Sequence, residues 1–308
     1  MCELAIVLPV YKAVFLKEAL NSLAKQTNKQ FNVYIGDDCS PDSIETIVDE
    51  FREVLNITYF RFTSNLGSKS LVHQWERCID LTKNEEWLWL FSDDDVIDAH
   101  CVDTFYKELS INRNSFDLFR FNVKVVDEAN QTLYVEKLPQ ILSSFDFLKK
   151  KLRGNISAYV VEYIFRRSFF EEQKRFEEFD LAWNSDVATW LKLASKRGIK
   201  TISGPFVRWR SSTFNISPNH TDLVLINKKI QANLDFSRWL KTVFFKNNII
   251  GFWKIYPYLT TWFITSLSLY TNVIEKKELL KFMRNFFSIT SSSSLKPLGV
   301  LYLKFKKR

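Results

Sequence analysis

Along the first third of the chain, short apolar runs alternate with segments whose apolar positions recur every three or four residues. Leu4-Ala5-Ile6-Val7-Leu8 is closed by Pro9 and reads as a strand, and Leu16, Ala19, Leu20 and Leu23 then follow at helical spacing. Phe31 to Ile35 gives a second strand that runs directly into Asp37 and Asp38. Ser40-Pro41 predicts a helix start, with Ser40 as N-cap, Pro41 at the first helical position, and Ile44, Ile47, Val48 and Phe51 on the buried face. Ile57 to Phe62 is a third strand, Asn65-Leu66-Gly67 a turn, and Leu71 to Leu81 a third helix. It leads to Trp87-Leu88-Trp89-Leu90-Phe91, an all-apolar run fit for a strand buried on both faces. The resulting βαβαβαβ pattern implies an α/β fold with parallel strands, whose right-handed crossovers place the carboxyl ends on one side.

Beyond Asp95 the pattern loosens. Asp117 to Asp127 alternates as a strand with Gln131 to Val135 as a hairpin partner, and Tyr159 to Phe165 and Phe206 to Arg210 are further strands. Asp186 to Lys196 is a helix with Val187, Trp190, Leu191 and Ala194 on one face. After about Ser217 the chain becomes helical, aromatic and basic, which divides it into residues 1–217 and a C-terminal region, 218–308.

A length of 308 residues allows one large domain or one domain plus an extension. Cys2, Cys39, Cys78 and Cys101 stand far apart with no CxxC pair, a pattern that fits a reducing compartment, and His73, His100 and His220 are too scattered to make a zinc site with them. The start Met-Cys-Glu-Leu-Ala-Ile lacks a basic n-region and reads as a first strand, not a secretory leader. The net charge of +8 is uneven: from Lys228 onward 15 Lys and Arg stand against 3 Asp and Glu, while the preceding residues balance at −4. Such a tail suits an anionic partner or plain solvation.

The chemistry concentrates where strands end. Trp87 to Phe91 stops at Ser92 and then at three consecutive carboxylates, Asp93, Asp94 and Asp95, and Asp37 and Asp38 end the second strand in the same way. Carboxyl ends of strands are where open α/β sheets bind ligands. Adjacent carboxylates repel, and hard oxygen ligands of this kind suit Mg²⁺ or Mn²⁺ carrying substrate phosphates. An acidic loop or helix cap is the alternative.

Val7-Leu8-Pro9-Val10-Tyr11, Asn21 to Thr27, Asp37-Asp38-Cys39-Ser40-Pro41-Asp42, Asn65-x-Gly67 and Ser92-Asp93-Asp94-Asp95 resemble, in order and spacing, family 2 of the inverting glycosyltransferases with the GT-A fold. The resemblance continues through Tyr163 to Ser168, Ser185 to Ala194 and Val207 to Arg210, and so covers roughly residues 1 to 217. It implies a Rossmann-like GT-A sheet flanked by helices. Pro9, Val10 and Tyr11 would floor a nucleotide base, and Asp38 would accept a hydrogen bond from it. Asp93 and Asp94, with Lys69 nearby, would meet the donor diphosphate. Asp94 and Asp95 would hold the divalent ion, Mn²⁺ or Mg²⁺, with Ser92 standing where the family more often has an acid.

The same resemblance makes Asp186 the base that takes the acceptor hydroxyl's proton. The helix dipole alone also favours an acid in a first helical turn, and Ser185 replaces the Glu that often precedes this Asp. Arg208 and Arg210 are further cations for diphosphate or acceptor, and Trp183 and His220 candidates for the acceptor pocket. The function implied is transfer of a sugar from a nucleotide-diphosphate donor, a UDP-sugar by preference, to a saccharide or lipid-linked saccharide in cell-surface polysaccharide synthesis.

A catalytically impaired glycosyltransferase-like binding protein is one alternative. A sugar-phosphate nucleotidyltransferase is another, although Pro9-Val10-Tyr11-Lys12-Ala13 is not the Gly-rich phosphate loop it should carry. Nucleic acid is not expected as a partner, because its phosphates would face the carboxylates at the strand ends. The stretches Phe236 to Phe245 and Ile249 to Tyr270 mix aromatic residues with Lys and Arg, and Lys254 and Pro257 argue against a transmembrane helix. The expected location is cytoplasmic, with the C-terminal region either packed on the catalytic domain or docked on the anionic inner face of the cell membrane.

Overall fold

In the computed structural model of the chain, which describes residues 3–216 and 220–290, the apolar runs are strands and the periodic segments helices. Cys2, the expected boundary at 217 and the basic residues from Lys296 onward lie outside the described residues. In chain order the elements are β1 (Leu4–Val10), α1 (Leu16–Ala24), β2 (Phe31–Asp37), α2 (Ile44–Asp49), β3 (Ile57–Arg61), α3 (Leu71–Ile79), β4 (Trp87–Leu90), β5 (Val96–Ile97), α4 (Cys101–Asn112), β6 (Leu118–Val126), β7 (Thr132–Glu136), β8 (Ile141–Leu142), α5 (Ser144–Leu152), β9 (Tyr163–Arg166), α6 (Arg167–Glu172), α7 (Ser185–Leu193), β10 (Ile199–Arg210), α8 (Leu223–Trp239), α9 (Ile249–Ser268) and α10 (Lys276–Thr290).

The strands form one sheet in the order β3-β2-β1-β4-β9-β6-β10-β5, with β7 paired to β6 and β8 to β10. β1 to β4 are parallel, Leu4 lying level with Phe31 on one side and Trp87 on the other. β9 is antiparallel to both β4 and β6, and β10 runs parallel to β6. From β1 the chain builds outward to β2 and β3 on one side and returns to place β4 on the other. That reversal leaves a crevice beyond the carboxyl ends of β1 and β4.

The reason these segments are strands is burial on both faces. Leu4 to Leu8 and Trp87 to Leu90 are almost wholly excluded from solvent, and each such side chain contributes about 1.5–3 kcal/mol of hydrophobic stabilisation. Trp89 stacks on Phe121 of β6 at 5.3 Å between ring centroids, and its indole N–H donates to the Val161 carbonyl at 2.6 Å. The polar handle of a buried indole is thereby satisfied.

Two local expectations change. α2 begins at Ile44 and not after Ser40, because the Ser40 hydroxyl donates to the Tyr11 carbonyl at 2.7 Å and accepts from the Asp42 N–H, which keeps residues 40–43 in a loop. The last strand begins at Ile199, well before Phe206; its pairing with β6 shifts register between Ile202 and Phe206, where Gly204 takes a φ of 112°. The Gly204-Pro205 pair hides that strand from a periodicity argument.

By its internal contacts the chain separates into two compact units. One runs through Phe147 and takes in Ile156–Glu177 and Asp186–Phe214; the other comprises Leu148–Asn155, Glu178–Ser185 and the chain from Asn215. The first contains the sheet. The second has its own core, in which Ile230, Phe236, Leu240, Phe252, Leu259, Phe263 and Phe286 are buried and Phe263 stacks on Phe286 at 4.4 Å. No described helix is long and apolar enough to cross a membrane.

Candidate active site

The loop that follows β1 meets the acids after β4. The backbone N–H groups of Tyr11 and Lys12 both donate to Asp93 Oδ2, at 3.2 and 3.3 Å. From the other side the Ala13 N–H donates to Asp42 at 2.9 Å. Val10 is buried, Pro9 half-buried, and Tyr11 is 39% exposed. Lys12 Nζ donates to the Phe214 carbonyl at 3.2 Å and lies 5.0 Å from the centre of the Phe214 ring.

Asp37 and Asp38 stand next to each other with different surroundings. Asp37 is fully buried: one oxygen accepts from the Ser40 N–H at 2.8 Å, the other from the Tyr59 hydroxyl at 2.7 Å and the Arg61 guanidinium at 2.8 Å. It is a loop anchor. Asp38 accepts from the N–H of Leu66 at 2.7 Å, the N–H of Gly67 at 2.8 Å and the guanidinium of Arg77. The turn Asn65-Leu66-Gly67 is thus folded around Asp38, and a Cβ at Gly67 would stand 2.6 Å from its Oδ2. Only glycine allows that approach. Lys69, on the same turn, is exposed.

The three carboxylates after β4 differ just as sharply. Asp94 is half-buried, and one of its oxygens accepts from the Ser92 hydroxyl at 2.7 Å. Asp95 is buried and accepts the backbone N–H of Arg210 at 2.8 Å. Burial, and then the neighbouring charge of Asp94, pushes the Asp93 carboxyl up to about 7 against the backbone N–H groups that oppose the shift. The same two causes raise Asp95 well above the usual carboxylate range.

Arg210, itself fully buried, donates through Nε to the Asp94 carbonyl at 2.8 Å, through Nη1 to the Glu128 carbonyl at 2.6 Å and through Nη2 to Glu18 at 2.6 Å. Its guanidinium is therefore engaged in holding the acidic loop to β10. Arg208 pairs with Asp98 at 2.7 Å.

Asp186 lies in the first turn of α7, half-buried, with Oδ1 accepting the N–H of Val187 at 2.8 Å. Trp190 of the same helix stacks on Tyr163 of β9 at 4.5 Å, and the Asp186 charge is among the causes that raise the Tyr163 hydroxyl, after burial. Beneath Tyr163, the buried Arg120 donates to its hydroxyl at 3.1 Å and pairs with the equally buried Glu162.

Within the second unit, the segment preceding α7 is strained, since Leu181, Ala182 and Asn184 all have φ between 53° and 70°. Its conformation is held by Asn233 of α8, whose buried Oδ1 accepts from the Trp183 indole at 3.0 Å and the Asn184 side chain at 2.9 Å. The ammonium of Lys229 lies 4.9 Å from the centre of the Trp183 ring.

Six of the expected positions are thus joined by hydrogen bonds at the strand ends: Val10 and Asp38 through the Asp38 N–H, Tyr11 through Ser40, Asp93 through the β1 loop, and Asp94 and Asp95 through Arg210. Pro9 lies in the same strand and Lys69 on the turn that Asp38 holds. Asp186 is carried separately, by α7 on β9. Sequence reasoning missed Arg77 on Asp38 and Asn233 under Trp183, for which no motif exists. It gave Arg210 to the substrate, whereas the folded chain uses it internally.

For a divalent ion, the described residues contain no group of three acidic, His or Cys side chains that could hold a metal alone. Mg²⁺ on a diphosphate takes only one or two carboxylates beside phosphate oxygens and water. Asp94, half-buried beside the Ser92 hydroxyl, and Asp95, which accepts the Arg210 N–H, are two adjacent oxygen donors and fit that requirement.

Residues 5–173 match the family described as Glycosyl transferase family 2. The poly(ribitol-phosphate) beta-N-acetylglucosaminyltransferase TarS of Staphylococcus aureus is 28% identical over 149 residues, 46% of this chain and 25% of that protein. An uncharacterised glycosyltransferase of Rickettsia conorii is 23% identical over 242 residues, 73% of this chain and 36% of that one. The chain therefore spans a quarter to about a third of the length of these relatives. Among solved structures, that of S. aureus TarS 1–349 in complex with UDP-GlcNAc superposes with a TM-score of 0.71 at 16% identity, covering 94% of this chain and 82% of that one. The full TarS crystal structure gives 0.69 over 98% of this chain and 53% of the other.

Proposed function

The chain belongs to glycosyl transferase family 2, and from that premise we propose that it moves a sugar from a nucleotide-diphosphate donor to a saccharide or lipid-linked saccharide acceptor, with inversion at the anomeric carbon. The GT-A architecture expected of such an enzyme is the one the chain has. The observation that carries the reading is the bridge from Tyr11 and Lys12 N–H to Asp93 across the reversal of strand order. It assembles a loop with an exposed aromatic face and a row of carboxylates at the crevice where such sheets bind nucleotides.

In this reading the Tyr11 ring, with Pro9 and Val10 beneath, takes the base. An ionised carboxylate offers about four acceptor sites; three on Asp38 are occupied by Leu66, Gly67 and Arg77, and the remaining one suits a base N–H. A UDP-sugar is the proposed donor, and UDP-GlcNAc the first to test, since it is the ligand in the TarS structure. Asp94 and Asp95 would hold Mn²⁺ or Mg²⁺ beside the diphosphate, and such an ion when bound offsets the charge of the leaving nucleotide. Lys69 is within the same turn system and supplies a cation to the phosphates. Asp186 accepts the proton of the acceptor hydroxyl as that oxygen attacks from the face opposite the diphosphate.

The test is a melting series with UDP and UDP-GlcNAc, each with and without Mn²⁺ or Mg²⁺. A ligand at a hundred times its Kd stabilises the folded state by about 2.7 kcal/mol, so a rise in Tm that requires both metal and nucleotide is expected. No shift with any nucleoside diphosphate would remove the donor-site reading. A panel of sugar nucleotides, followed for slow metal-dependent hydrolysis, then identifies the sugar.

A further inference from the structure

The second unit carries an apolar tip. The π-helical turn Leu240–Phe244 ends α8, and after a short turn α9 begins at Ile249. Across this junction Val243, Ile249 and Ile250 are 53%, 50% and 68% exposed, with Phe244 and Trp253 half-buried beside them. The tip is firmly built: Asn248 caps α9 by accepting the Gly251 N–H at 2.9 Å, and Phe244 stacks on Trp239 at 5.7 Å.

Along the chain that forms the tip, the charge has one sign. No acid stands between Asp235 and Glu275, whereas Arg238, Lys241, Lys246 and Lys254 do. Arg238 is paired with Asp235, and Lys241 donates to the Ile289 carbonyl at 3.1 Å. Lys246 and Lys254 are exposed and form no ion pair among the described residues. Exposed aliphatic side chains between amphipathic aromatic residues and unpaired lysines are the chemistry of a bilayer interface, in which the apolar groups enter the headgroup boundary and the ammonium groups meet anionic lipid. An acidic protein partner would use the lysines and leave Ile249 and Ile250 wet; a purely apolar partner would leave the lysines unused.

From this we infer that the tip formed by Val243, Phe244, Ile249, Ile250 and Trp253, flanked by Lys246 and Lys254, docks the protein on the surface of an anionic bilayer. Docking here would present the chain to a lipid-linked acceptor, but the inference stands on the tip alone.

The experiment is co-sedimentation of the full chain with vesicles of phosphatidylcholine alone and of phosphatidylcholine with an equal part of phosphatidylglycerol, at low and high salt. Binding to the anionic vesicles only, weakened by salt, is expected. Lys246→Gln/Lys254→Gln, both surface changes, should weaken binding by about fivefold per lysine, and Ile249→Ser/Ile250→Ser should abolish it. Circular dichroism and the UDP-dependent melting shift should match the wild type in each, which separates docking from the donor site. Failure to sediment with either vesicle, equal binding to both, or binding unaffected by the two double variants overturns the inference. So does a concentration-dependent dimer that Ile249→Ser/Ile250→Ser dissolves, which would assign the tip to a second copy of the chain.

Discussion

The backbone N–H of Arg210 donates to the carboxylate of Asp95 at 2.8 Å, while the guanidinium of the same residue reaches the Asp94 carbonyl. One residue of β10 thereby holds both the acid and the peptide before it. Arg210→Lys keeps the charge but loses the planar fork. Two or more buried hydrogen bonds go with it, and a loss of about 1–3 kcal/mol in urea unfolding is expected, together with weaker metal-dependent UDP binding. Unchanged UDP affinity in a destabilised variant would leave Arg210 a role in stability alone.

Asp186→Asn should leave the melting shift with metal and UDP intact and lower transfer by roughly 10²–10⁴-fold, the usual contribution of a positioned base. Retained transfer would dismiss Asp186 from that role.

Gly67→Ala puts a methyl group 2.6 Å from Asp38 Oδ2. The turn must move off the carboxylate, at about 1–3 kcal/mol for an overpacked contact. Calorimetry should report weaker UDP binding with the metal requirement unchanged, because Asp94 and Asp95 lie on another loop.

Asn233→Leu removes the acceptor shared by the Trp183 indole and the Asn184 side chain in a segment with three left-handed residues. Leaving those donors without a partner costs about 1–3 kcal/mol. Since this segment leads directly into Asp186, kcat should fall with the donor KM unchanged. Asn233→Asp, which keeps an oxygen in place, should recover much of the rate.

Burial pushes the Glu162 carboxyl up to about 7, against the pull of Arg120. A carboxyl raised above its unfolded value near 4.5 favours the folded state fully below that pH, and the advantage is lost as pH rises through about 7. Between these limits this group lowers stability by at most about 1.4 kcal/mol per pH unit. Urea unfolding from pH 4.5 to 7.5 should show that slope, and Glu162→Gln should flatten it.

The first four strands, their parallel sense and the placing of Asp37, Asp38 and the acid triplet at one edge follow from the sequence alone. Doubly buried strands need uninterrupted apolar runs, and crossover helices need their three-to-four spacing, so Leu4–Leu8 and Trp87–Phe91 announce themselves. The residues of the five short motifs likewise stand in their order along the chain before any folding. The tertiary structure decided which polar groups those residues would meet. Asp38 and Arg77 are 39 residues apart, Arg210 and Asp94 116, Trp183 and Asn233 50, and no local pattern records such partners. A hydrogen bond is fixed by where two backbones pass in space, while periodicity reports only which face of a segment is dry.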